Sequence, residues 1–189
     1  MLKDILLKAR SIRSFNKNRS VTEDELYDII DATRLCPSSA NLQVLKFRPV
    51  YTPGECDKVF PLTKWAGYLK DMQIPPIGHE PTGYVVVCFD ILVTNNTSAF
   101  QTDVGICAEA IILRAAEMGL GGCMIGSFDR EKIKEALSLP DNLIPALVIA
   151  LGEADETPVI VDSDGDIKYY RENGVHYVPK RTLSEIVVK

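Results

Sequence analysis

Leu2, Ile5, Leu6 and Ala9 recur at helical spacing and predict a short amphipathic helix at the start of the chain. A second helix is expected from Thr22, where Thr22 and Glu25 match a capping box and Leu26, Ile29, Ile30 and Thr33 mark one face. Pro37 stops it, ahead of the turn formers Ser38-Ser39-Ala40-Asn41. Residues 46–51 read as a strand whose Pro49 suits a sheet edge. The stretch 52–82, with prolines at 53, 61, 75, 76 and 81, reads as irregular. Residues 84–89 form a buried strand, and 102–118 a helix that is apolar on nearly every side. Such a helix needs cover all round, much of it from a second subunit in a chain this small. Gly119 closes that helix. A short strand over 121–126, a helix over 130–138 capped by Asp129, and a buried strand over 144–151 complete the expected core. From about residue 152 the chain is too apolar to be disordered, and it reads as an arm that packs on something, without a helix of its own. No internal repeat breaks the pattern, so residues 1–189 are expected to form one domain.

Composition narrows the function. The 189 residues are 46% hydrophobic and 25% charged, as in an ordinary globular chain. A net charge of -5 argues against a nucleic-acid partner, and no polybasic anchor or bilayer-length apolar run points to a membrane. The start of the chain is charged at once, unlike a signal peptide. Five scattered cysteines without a C-x-x-C pair fit a reducing compartment, so a cytoplasmic protein is expected.

Side-chain chemistry is sparse. His79 and His176 lie outside any ligand spacing, and no dinucleotide fingerprint, P-loop or G-x-S-x-G is present. Asp162-Ser163-Asp164-Gly165-Asp166 departs from a calcium loop and reads as a hairpin turn. Two polar clusters remain. Arg10, Ser11 and Arg13 offer two guanidinium forks and a hydroxyl, either an anion site or a solvated helix end. Pro37, Ser38, Ser39, Asn41 and Gln43 gather hydroxyls and amides that suit the edge of a heteroaromatic ring, or serve an ordinary loop.

Taken in order, five segments resemble the nitroreductase family: Arg10-Ser11-Ile12-Arg13-Ser14-Phe15; Leu35-Cys36-Pro37-Ser38-Ser39-Ala40-Asn41-Leu42-Gln43; Asp103-Val104-Gly105; Gly119-Leu120-Gly121-Gly122-Cys123-Met124-Ile125-Gly126; and Leu139-Pro140 with 147–152. The resemblance implies an α+β fold with a mixed, mostly antiparallel central sheet sandwiched by helices. It also implies an intertwined homodimer, a C-terminal arm embracing the other subunit, and FMN at the interface.

By that likeness Arg10 and Ser11 contact the FMN phosphate or ribityl chain, and Arg13 approaches the pyrimidine side of the flavin ring. Pro37, Ser38, Ser39 and Asn41 come from the opposite subunit; Met124, Ile125, Gly126 and Ser127 pass near flavin N5; Lys180 and Arg181 close on the phosphate. Some members carry glutamate at the place of Gly126 and glutamine at that of Asp103, whose role is open; Ala9 stands where many have arginine. Thr63-Lys64-Trp65-Ala66-Gly67-Tyr68-Leu69 is either substrate wall or surface loop. The implied activity is a ping-pong oxidoreductase taking electrons from NADH or NADPH to a small acceptor such as a nitroaromatic or quinone. The cofactor holds the reactivity and no catalytic side chain is required. The alternatives are a flavin-binding carrier or redox sensor without turnover, and a specialised branch such as a flavin-dependent dehalogenase.

Overall fold

The computed structural model describes residues 1–69 and 71–188. A four-stranded sheet runs in the order β1-β2-β4-β3, with β1 Leu45–Val50, β2 Gly83–Asp90, β3 Gly121–Ile125 and β4 Leu143–Gly152. Every neighbouring pair in it is antiparallel. Period-two alternation on the central strands feeds two cores. Val85, Val87, Phe89, Ile149 and Leu151 pack on one face, under the helices α2 (Glu23–Asp31) and α4 (Gln101–Glu117). Tyr84, Val86, Cys88, Val148 and Ala150 pack on the other, against α3 (Pro53–Val59) and α5 (Arg130–Ala136). This two-sided cover is why β2 is a continuous apolar run rather than an alternating one. β1 lies at an edge, which accommodates Pro49.

The expected strands and the helices in the first, second, fourth and fifth places are all present, led by α1 (Leu2–Lys8). The Thr22–Glu25 capping box is formed. The second helix stops at Asp31, and a single 3-10 turn, Ala32–Leu35, leads to Pro37.

Three expectations need correction. The stretch 52–82 is not wholly irregular: Thr52 caps α3 by accepting from the Glu55 backbone N–H, with Pro53 at the first turn. The segment after residue 152 forms its own three-stranded sheet, β5 (Pro158–Asp162), β6 (Tyr170–Glu172) and β7 (Val175–Lys180), ordered β5-β7-β6, then a one-turn helix α6 (Leu183–Ile186). β5 pairs with β7 in parallel, so the turn at 163–166 does not join a hairpin. The hairpin is at Asn173-Gly174, both with positive φ, between β6 and β7.

On α4, Val104, Ala108, Ile111, Ile112 and Ala115 are buried by the chain's own core, while Ile106, Ala110 and Leu113 are only half-buried and Gly105 is exposed. Among the described residues no helix is long and apolar enough to cross a membrane.

Candidate functional site

The free edge of β3 organises the site. Ser11 forms an isolated parallel bridge with Gly122, and the Ile12 N–H donates to the Gly122 carbonyl at 2.9 Å. The approach is possible because β3 opens with glycines: a Cβ on Gly121 would stand 2.6 Å from Ile12 Cγ1 and 3.1 Å from Ile12 Cβ. Ile12 is buried by this contact, and Arg10, Ser11 and Arg13 are turned toward a cleft of about 360 Å³. Alternation on β7 supplies the opposite wall, since His176, Val178 and Lys180 all line the same cleft. Met124, Tyr169, and Glu109 and Ile112 of α4 complete it.

Cations outnumber carboxylates in the cleft lining, Arg10, Arg13 and Lys180 against Glu109. Among the described residues, none of the guanidinium groups of Arg10 and Arg13 and the ammonium of Lys180 forms an ion pair with a carboxylate. Arg10 Nε is buried without a partner. Arg13 Nη1 lies 3.3 Å from the Ser11 carbonyl and 3.2 Å from His176 Nε2, and its guanidinium sits 4.8 Å from the Tyr169 ring centre. Glu156 accepts the Arg13 backbone N–H and pairs with Arg171. Burial, then the charges of Arg13 and Arg171, push the His176 imidazole down to about 4, so it is neutral near pH 7.

The second cluster lines a separate cleft with Pro37, Ser38, Asn41, Gln43, Asp103 and Cys107. Three consecutive-region residues, Ala40, Asn41 and Gln43, hold positive φ near 50° without being glycine. Such strain persists only where the surroundings enforce it, and it collects at functional loops. Asp103, 2% exposed, does the enforcing: it accepts from the Ser38 hydroxyl at 2.7 Å and the Ser39 hydroxyl at 2.8 Å. Burial raises its pKa, but the hydrogen bonds from Ser38 and Ser39 outweigh that and hold it below the usual carboxylate range.

Of the residues singled out by sequence, Arg10, Ser11, Arg13, Met124 and Lys180 meet in the first cleft, and Pro37, Ser38 and Asn41 line the second, with the exposed Ser39 bonded to Asp103 beside it. Ile125 turns its side chain into the core at 4% exposure, and Gly126 and Ser127 are exposed at the end of β3. Arg181 is exposed outside the first cleft. His176, Tyr169 and Glu109 belong to the cleft and were not expected; the i, i+2, i+4 spacing of His176, Val178 and Lys180 was the signal for the first of these. The 63–69 segment reaches the site's rim: the Tyr68 ring lies 5.1 Å from that of Tyr169.

A helix-covered antiparallel sheet with a cleft along its free edge that gathers three cations defines an α+β protein. The family profile described as the nitroreductase family matches residues 6–66 and 94–153. The chain belongs to the nitroreductase family. It is 28% identical over 171 residues to the NADPH-flavin oxidoreductase of Vibrio harveyi, covering 83% of this chain and 67% of that protein. It is 26% identical to the FMN reductase (NADPH) of Bacillus subtilis, over 79% of this chain and 64% of that protein. The structure of an FMN-dependent nitroreductase from Clostridium difficile R20291 superposes with a TM-score of 0.67 at 27% identity, covering 89% and 97% of the two chains.

Proposed function

We propose that this chain works as a homodimeric FMN-dependent oxidoreductase that takes electrons from NADH or NADPH and gives them to small acceptors such as nitroaromatics or quinones. FMN and a nicotinamide donor are in keeping with the family and with relatives named as flavin and FMN reductases. The observation that carries the reading is the convergence of Arg10, Ser11, Arg13 and Lys180, whose three cations outnumber the one lining carboxylate, Glu109, and form no ion pair among the described residues, with Arg10 Nε left unpartnered. Unpaired guanidinium donors fit a phosphate, which accepts the planar fork in two bonds.

In this reading Arg10, Ser11 and Lys180 hold the phosphate end. Arg13 places its charge where the ring gains electron density, and the exposed Met124 gives the ring an apolar surface. FMN, when bound, supplies hydride and electron transfer that no side chain of the cleft offers. Residues 37–41 face a different cleft within one chain, so they complete the site from the second protomer. The half-covered face of α4, with Ile106, Ala110 and Leu113, supports a two-fold contact there. Ser127, Gly126 and the backbone of Ile125 border the ring edge, and Arg181 is the outermost of the basic residues.

The test is the absorbance spectrum of the purified protein, identification of the acid-released cofactor, and titration with NADH and NADPH. Non-covalent FMN at one per subunit, bleached by a nicotinamide donor in a dimer of about twice the 20.9 kDa chain mass, is expected. FAD or a flavin-free monomer would overturn it.

A further inference from the structure

A guanidinium can only donate hydrogen bonds. The 3.2 Å contact between Arg13 Nη1 and His176 Nε2 therefore requires Nε2 to be the bare, accepting nitrogen, with the proton on Nδ1. Nδ1 is buried with no partner among the described residues, so nothing else in the fold selects that tautomer. The imidazole itself is 2% exposed, and the Tyr169 ring stands 5.5 Å from it while also covering the Arg13 guanidinium. The carboxylate of Glu156 binds the Arg13 backbone N–H and the side chain of Arg171 rather than the Arg13 guanidinium, and Glu109, which also lines the cleft, forms no ion pair with it among the described residues. Arg13 is thus oriented by two neutral acceptors, the Ser11 carbonyl and the His176 imidazole, and by an aromatic face, and its positive charge stays available to the cleft.

We propose that His176 is a positioning residue for the cofactor site, its Nε2 fixing the Arg13 fork toward the flavin ring. The inference rests on the FMN reading above and adds a residue to it. A carboxylate in the same place would hold the guanidinium as firmly but cancel its field, whereas a neutral imidazole holds it without neutralising it. The residue acts through Arg13 and touches no reacting atom.

Two measurements test this separately from the FMN assignment. In protein labelled with ¹⁵N at histidine, the His176 ring should show protonated Nδ1 and unprotonated Nε2 at pH 7, with or without flavin. A protonated Nε2 overturns the proposal whatever the cofactor is, while absence of any flavin alongside the expected tautomer would count against the FMN reading alone. In the holoprotein, His176→Gln carries an acceptor near the position of Nε2 and His176→Asn one nearer Nδ1. His176→Asn is expected to weaken FMN binding about tenfold and lower the flavin midpoint potential, with His176→Gln restoring most of both. Equal losses in the two variants, or unchanged affinity and potential in His176→Asn, overturn it.

Discussion

Asp103, on the first turn of α4, accepts both the Ser39 hydroxyl at 2.8 Å and the Ser39 backbone N–H at 3.1 Å. One buried carboxylate therefore ties the core helix to a loop whose backbone is strained at three positions just beyond. Removing it should release the loop. Asp103→Ala is expected to cost about 2–3 kcal/mol of stability, the scale of hydrogen bonds to a charged acceptor. Urea unfolding of the apoprotein reads this, and FMN affinity should fall in parallel because the 37–41 segment loses its shape.

Arg13→Ala should weaken FMN binding and slow turnover more than Arg19→Ala or Arg130→Ala. Loss of a charge-assisted hydrogen bond costs about 1.5–3 kcal/mol, and the reduced ring, which gains negative charge, should suffer more than the oxidised one. The flavin midpoint potential is expected to drop. Arg19 is not the solvent-screened cation its polar neighbours suggest: it pairs with Glu25 and, chiefly through that hydrogen bond, pulls the Glu25 carboxyl down to about 2. Arg19→Ala should therefore reduce stability slightly while leaving the potential alone. Redox titration of the three variants makes the comparison.

The buried imidazole of His176 gives a pH signature. Its folded pKa is lowered from 6.5 to about 4, first by burial, then by Arg13 and Arg171. A depressed pKa leaves the folded state fully stable above about 6.5 and removes stability as pH falls, because only the unfolded chain then takes the proton readily. The full drop corresponds to about 3 kcal/mol. Apoprotein stability measured by urea between pH 7.5 and 4.5 should fall in wild type, and the slope should flatten in His176→Gln. Identical pH profiles for the two would contradict the assignment.

Gly121→Ala places a methyl 2.6 Å from Ile12 Cγ1 and 3.1 Å from both Ile12 Cβ and Ala154 Cβ. These are atoms close to the backbone, so the N-terminal segment must move. A loss of about 1–3 kcal/mol is expected from overpacking, together with weaker FMN binding as Ser11 and Arg13 shift. A crystal structure or FMN titration of the variant would detect the displacement. Unaltered affinity would mean that the segment's register against β3 does not set the site.

Most of the sheet was legible because burial on both faces writes β2 and β4 as continuous apolar runs, and because Thr22 and Glu25 announce their helix. The α3 helix was missed although Thr52, Pro53 and Glu55 carry a start signal, since the prolines that follow drown a helix of only seven residues. The arm's sheet was missed for another reason: β5 pairs in parallel with β7 although β6 lies between them in sequence, a contact no local pattern encodes. For the site, Arg10, Ser11 and Arg13 stood out as a cluster of charge and hydroxyl, while Lys180 was reached only through the family likeness. His176 did not, because a lone histidine announces its partner only once Arg13, far away in sequence, is folded against it.

That distance has a consequence for biogenesis. Arg13 and His176 are separated by 163 positions, so the cleft between them is sealed by one of the longest loop closures available to the chain. During synthesis the central sheet can assemble around β2 and β4 while the N-terminal cations still face water. Only when β7 emerges does the second wall arrive. Cofactor loading is therefore expected to wait for the emergence of β7, and a chain truncated before residue 175 should fold its core yet fail to retain its ligand.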